Sequence, residues 1–269
     1  FKYGGVQTSI YNALRSSQSS SPYYNKSTDA YCYIGTEKPN HDVVIVGWDD
    51  SYSKDNFNTD LEGDGAFICQ NSWGDNFGEN GFFYISYYDT NIGTHNVVYT
   101  DIENTDNYDH IYQSDLCGWV GQLGYNKDSI YGANVFTAEG NETLKAASFY
   151  ATGKDSQYEL YVVRQFEDET SLEKMIPVAS GKLGNAGYYT VDFNQGIEVD
   201  AGERYAVVLY IITPGSVHPM AIEYAADEAT ENVDLDDGES YISANGSKWV
   251  SVDTVEKSNL CIKAFSDNR

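Results

Sequence analysis

Asn40-His41-Asp42-Val43-Val44-Ile45-Val46-Gly47-Trp48-Asp49-Asp50 reads as a β-strand with a histidine at its mouth. Branched side chains such as Val43 to Val46 suit a stiff, pleated and buried surface, so the His41 imidazole is mounted on a rigid support. A second strand-like run, Ala66-Phe67-Ile68-Cys69-Gln70, ends in Asn71-Ser72-Trp73-Gly74. The Asn71 amide oxygen can accept an imidazole N–H, and the Trp73 indole can keep water from that bond. These are the base and the orienting group of a nucleophile–base–orienter constellation. A histidine at a strand edge also has purely structural uses, so His41 alone does not settle the chemistry.

The flanking words do. Residues 40–50 with 70–88, NHDVVIVGWDD and QNSWGDNFGENGFFYISYY, resemble the histidine and asparagine motifs of the papain-like (C1) cysteine peptidases. They are most similar to a clostridial type that carries a lectin-like domain. The resemblance rests on Asn40 before the histidine, the Gly47-Trp48-Asp49 turn, the NSWG tetrapeptide, and Gly78 and Gly81 leading into Phe82-Phe83-Tyr84. It implies His41 as general base and acid, Asn71 as the residue that orients its ring, and Trp73 and Asn40 as support of the cleft. Phe77 stands where the family usually has a second Trp. Asp42 replaces a small apolar residue, and strand alternation places it opposite His41, where it needs a partner or solvent.

The family's nucleophilic Cys and oxyanion-hole Gln belong to an N-terminal half, in a Q…G-x-C-W pattern that these residues do not contain. Cys69 shares a strand face with Asn71, yet Ala66, Phe67 and Ile68 around it read as core, and a buried apolar thiol is inert. The resemblance therefore implies an incomplete peptidase, with the thiolate supplied by an N-terminal half that acts as partner. No signal peptide opens the chain, and Phe1-Lys2-Tyr3-Gly4-Gly5-Val6 reads as the interior of a domain.

With 41 Asp+Glu against 16 Lys+Arg, the formal charge is −25. Such a chain repels phosphate backbones and anionic headgroups, which argues against nucleic acid as partner. No apolar run approaches the ~20 residues of a membrane span. Aromatics make up 14%, with 24 Tyr, a composition that suits β-rich architecture. The four cysteines neither demand nor exclude disulfides. Acidity with few cysteines fits secretion, and the resemblance implies a secreted or cell-surface bacterial protein.

In VQTSIYNALR, residues 6–15, Val6, Ile10 and Leu14 fall at i, i+4, i+8, and the spacing predicts one short helix. The polar run after Leu14 reads as a surface loop, and the acidic stretch Asp49–Gly65 as a solvated loop, since its spacing does not match an EF-hand. DIENTDNYD, residues 101–109, reads as a linker. From Ile111 onward short β-prone runs alternate with turns, which predicts a β-sandwich. Gly132–Thr137, Leu144 with Phe149-Tyr150, Tyr158–Val162, and Trp249 with Cys261–Phe265 resemble the lectin-like domain that follows such peptidases.

The expected fold is thus mainly β: the C-terminal β-barrel half of a papain-like α+β peptidase fold (1–100), a linker (101–110) and a lectin-like β-sandwich (111–266). The expected function is cysteine-type peptide bond hydrolysis on a protein or peptide substrate, with no cofactor required for catalysis. The alternatives are an inactive papain-like scaffold whose lectin-like domain binds glycan, and a cell-surface adhesion module. Asp234, Asp236, Asp237 and Glu239 alternate in a turn as hard oxygen ligands suited to calcium, and a solvated hairpin loop explains the same residues.

Overall fold

A computed structural model describes residues 2, 4–252 and 256–269; Phe1 and Tyr3 of the opening segment, and residues 253–255, lie outside the described residues. The chain divides into two compact units, Phe1–Glu103 and Asn104–Arg269.

The first unit is one seven-stranded sheet. Its strands are β1 (Val6–Ile10), β2 (Tyr24–Asn25), β3 (Ala30–Tyr31), β4 (His41–Asp49), β5 (Ala66–Gln70), β6 (Phe82–Ser86) and β7 (Thr94–Val97), in the order β2-β3-β6-β5-β4-β1-β7. All neighbours pair antiparallel except β3 and β6. Val43, Cys69, Phe83 and Ile85 point into a core shared with Ile10, Leu14, Tyr31 and Phe77.

The helix expected over residues 6–15 is not formed: β1 occupies Val6–Ile10, and the chain leaves the sheet at Tyr11. A spacing of four satisfies a strand's period of two as well as a helix's 3.6, so Val6 and Ile10 share one face either way. Tertiary pairing decides, because β1 lies between β4 and β7 and its branched Val6, Thr8 and Ile10 suit a central strand.

In the second unit β8 (His110–Tyr112), β11 (Glu142–Ala151), β14 (Gly187–Val199) and β20 (Ile262–Asn268) form a four-stranded sheet. Six strands form the opposing one: β10 (Ser129–Thr137), β12 (Ser156–Val163), β13 (Ile176–Leu183), β15 (Arg204–Ile212), β17 (Glu239–Ser243) and β18 (Val250–Ser251). A small third sheet holds β9 (Gly121–Leu123), β16 (Met220–Glu223) and β19 (Asn259–Leu260). Leu144, Phe149 and Ile262 from one sheet meet Ile130, Leu160 and Leu209 from the other in one core. The expected β-sandwich is present. Gly132–Thr137, singled out in sequence, lies within β10, whereas no motif falls on β13, whose alternation Gly181 interrupts.

Candidate active site

His41 is the first residue of β4, opposite Ile10 of β1. Asn71 follows the last residue of β5, and its N–H donates to the Gly81 carbonyl at 2.9 Å. Pairing of β4 with β5 brings the strand ends together and sets His41 Nε2 2.9 Å from Asn71 Oδ1. The same Oδ1 accepts the Ser72 N–H at 2.8 Å. A backbone N–H only donates, so that amide atom is the oxygen, and His41 Nε2 must carry the proton it shares with Asn71. Nδ1 is then the ring nitrogen left for proton transfer.

The Trp73 ring lies 5.3 Å from the His41 ring, inclined at 35°. Behind it Phe77 meets Trp73 edge-on at 5.2 Å, is itself buried, and stacks on Tyr24. Phe77 thus holds the indole from below, a task that needs an aromatic ring and no indole N–H. The turn between Trp73 and β6 depends on Gly78: φ is +58°, and a Cβ there would lie 2.0 Å from the Phe82 carbonyl oxygen.

Asn40 is a clamp. Its Oδ1 accepts the Asn12 N–H at 2.7 Å and its Nδ2 donates to the Asn12 carbonyl at 3.2 Å, which ties the loop after β1 to the start of β4. That loop, residues 11–15, forms one wall of an open cleft of about 440 Å³ whose other lining includes Asn40, His41 and Trp73. Sequence reasoning missed this wall, since the helical reading of residues 6–15 hid it. The signal available was Asn12, whose side chain caps the Leu14 N–H at 2.9 Å as turn residues do.

Asp42 faces away from the cleft and finds partners on β1, accepting from Ser9 Oγ at 2.7 Å and from Gln7 Nε2 at 3.1 Å. Among the cysteines, Cys32, Cys69 and Cys261 are buried. Burial, with the Asp89 carboxylate adding to it, pushes the Cys69 thiol well up and the Cys32 thiol to about 12. Cys117 is exposed in the second unit, and its thiol is also held up, by desolvation and by the Glu223 carboxylate. None of the four has the electropositive surroundings that make a thiolate.

The turn residues proposed for calcium separate. The Asn259 side-chain nitrogen lies 2.8 Å from the Ser114 carbonyl, 2.9 Å from the Asp234 carbonyl, 3.0 Å from Glu223 Oε1 and 3.3 Å from Asp237 Oδ1. Glu223 and Asn259 are buried, and desolvation followed by the nearby Asp234 pushes the Asp237 carboxyl up. Asp236 is exposed and not part of this group, while Glu239 pairs with Arg204 and Tyr241. Among the described residues no three His, Cys, Asp or Glu side chains converge as metal ligands, so any such site draws on main-chain carbonyls. In the other acidic loop Asp49 and Asp64 accept the N–H groups of Ser51 and Lys54, capping their own loop.

Among the described residues no helix is long and apolar enough to cross a membrane. Residues 111–266, more than half of the chain, match the lectin like domain family, and residues 5–102 match the papain family cysteine protease. Two solved structures are similar along the whole length. One is the clostridial cysteine protease Cwp84 after propeptide cleavage, 29% identical with a TM-score of 0.84 over 99% of this chain and 66% of that one. The other holds the cysteine protease and lectin-like domains of Cwp84, a surface layer associated protein of Clostridium difficile, 27% identical with a TM-score of 0.80 over 100% of this chain and 59% of that one. This chain therefore spans less than two thirds of either. Curated proteins gave no match. The chain belongs to the lectin-like domain family and joins that domain to a papain-family cysteine protease segment, the pairing seen in the clostridial relatives.

Proposed function

We propose that residues 1–100 are the base-bearing half of a cysteine-type endopeptidase, joined by residues 101–110 to a lectin-like domain at 111–266. The observation that supports it best is the His41 Nε2 to Asn71 Oδ1 contact of 2.9 Å beneath Trp73, which leaves Nδ1 to the cleft. The thiolate comes from a segment outside this sequence, because all four thiols here are held protonated by their surroundings. In the reaction the thiolate sulfur bonds to the scissile carbonyl carbon while the carbon–nitrogen bond breaks. His41 gives its Nδ1 proton to the leaving amine, then takes a proton from the water that hydrolyses the thioester. Asn71 holds the ring so that both transfers use the same nitrogen. By analogy with its relatives, the protein acts outside the cell or at the bacterial surface.

The test is peptide-library hydrolysis by this chain with and without the thiol-bearing segment. Activity is expected only in the assembled form and is abolished by an epoxide thiol blocker. Hydrolysis by the 269-residue chain alone, blocked by alkylating Cys69, would overturn the proposal.

A second reading concerns the lectin-like domain. A cleft of about 270 Å³ on its six-stranded sheet is lined by Tyr158, Tyr210, Gln157, Glu159 and Lys182, where rings adjoin mixed donors and acceptors as a neutral glycan requires. Calcium is proposed at the Asn259 cluster, where Glu223, Asp237 and the carbonyls of Ser114 and Asp234 supply oxygens of the type that ion takes. Millimolar calcium should raise the melting temperature and a chelator should reverse it. An unchanged midpoint removes the ion from the account.

A further inference from the structure

The cleft beside His41 and Trp73 runs against the charge of the chain around it. The sequence has 41 acidic and 16 basic residues, yet the described lining of this cleft includes Arg15 and no Asp or Glu. The chain has four arginines, and three are committed to carboxylates in the second unit. Arg164 meets Glu203 at 2.7 Å, Arg204 pairs with Glu239, and Arg269 holds Glu198 at 2.8 Å and Asp200 at 2.6 Å. Arg15 has no such carboxylate partner among the described residues.

Its backbone, by contrast, is pinned. The Arg15 and Ser16 N–H groups donate to Ser19 Oγ at 2.9 and 3.1 Å, and the Asn12 to Asn40 clamp ties the same loop to the residue before His41. The result is an exposed guanidinium on a fixed base, one cleft wall away from the imidazole.

We propose that Arg15 is a specificity-determining residue that selects substrates with a carboxylate side chain at the first or second position after the scissile bond. This rests on the peptidase reading. If His41 protonates the leaving amine, the chain beyond that amine runs past His41 and Trp73 into the cleft walled by residues 11–15. At ~3.3–3.6 Å per extended residue, the first two side chains after the bond fall within that cleft. A guanidinium presents a planar fork of donors that matches a carboxylate in two parallel hydrogen bonds. The same charge repels Lys or Arg at those positions, so selection works in both directions. The rim is open to solvent, and the preference is correspondingly modest and sensitive to salt.

The experiment uses the assembled peptidase and matched peptides that differ only at the two positions after the scissile bond: Glu or Asp, Gln or Asn, Lys. Two quantities are read in parallel, kcat/KM in the active form and binding by fluorescence anisotropy in the thiol-blocked form. Acidic peptides should exceed neutral ones by roughly three- to ten-fold at low salt, with the ratio shrinking toward one at high salt. Arg15→Ala should bring the acidic-to-neutral ratio to about one, Arg15→Glu should invert it in favour of Lys, and Arg15→Lys should restore part of it. Arg204→Ala, which removes an arginine of the second unit already paired with Glu239, should leave the ratio as it was. Equal handling of acidic and neutral peptides by the unsubstituted protein, or a ratio untouched by Arg15→Ala, overturns the proposal. Failure to cleave any peptide sinks the peptidase reading instead, and the binding arm still decides on Arg15.

Discussion

His41 and His110 each meet an asparagine side-chain oxygen at 2.9 Å, Asn71 in the first unit and Asn268 in the second. Bond length does not distinguish them; their surroundings do. His41 stands at an open cleft beside an indole, with an asparagine as its ring partner. His110 stands among carboxylates, with Glu139 at 3.5 Å from Nδ1 and Glu142 at 4.0 Å from Nε2. The Asn268 hydrogen bond is the largest of the influences that raise its pKa, and desolvation opposes them while Glu142, Glu139 and Asp109 add to them. A proton held by neighbouring anions is structural. Where an amide alone holds Nε2–H, Nδ1 is left open to the cleft, so a histidine–asparagine contact gains a chemical role from what else touches the ring.

The sharpest way to break this contrast is to remove each imidazole in the assembled peptidase and measure kcat/KM on a neutral peptide. His41→Ala should lower it by roughly 10⁴-fold or more, as loss of a base acting with its nucleophile does. His110→Ala should leave it unchanged, and an equal loss in both would erase the distinction. The orienting amides come next. Asn71→Ala should cost about 10²-fold in kcat through a misplaced ring. Asn268→Ala should instead lower the melting temperature of the second unit without touching turnover.

A third comparison uses pH. Burial pushes the Glu142 carboxyl up, but hydrogen bonds from Ser266, Tyr112 and the Gly140 N–H outweigh it and leave the group below its ordinary 4.5. Its stabilising contribution is present above that value and is lost as pH falls through the lowered one. His110 is shifted upward from 6.5, so its contribution is present below 6.5 and is lost as pH rises through the raised value. Thermal unfolding of the second unit should therefore be latest between pH 4.5 and 6.5 and move earlier on both sides. Glu142→Gln should flatten the acid limb and cost roughly 2 kcal/mol of stability. A midpoint that stays unchanged below pH 4.5 and above pH 6.5 would remove the carboxylate setting from the account of His110.

The smallest effect is expected at Asp42, whose neighbours Ser9 and Gln7 lie on the opposite side of the strand from the imidazole. Asp42→Ala should change unfolding by about 1 kcal/mol or less in denaturant titration and leave kcat/KM unaltered. A loss of turnover there would show that the two faces of β4 are coupled.

Local pattern determined much of this protein. The branched run after His41 specified β4, the alternation of Ala66–Gln70 specified β5 to the residue, and spaced short runs after Ile111 specified a sandwich. Those signals survive in sequence because a strand's side-chain period is a property of its own residues. Other features were decided only by what packs where. Val6, Ile10 and Leu14 fit a helix and a strand equally, and the hydrogen-bonding edges of β4 and β7 made the choice. Asn12 and Arg15 became a cleft wall only once Asn40 clamped their loop beside His41. Glu223 and Asn259 lie far apart in the chain and meet because β16 and β19 pair, and Asp237 reaches the same amide from the turn before β17. Contacts between residues distant in sequence leave no periodic trace along the chain, so strand pairing, and not local pattern, is what brought them together.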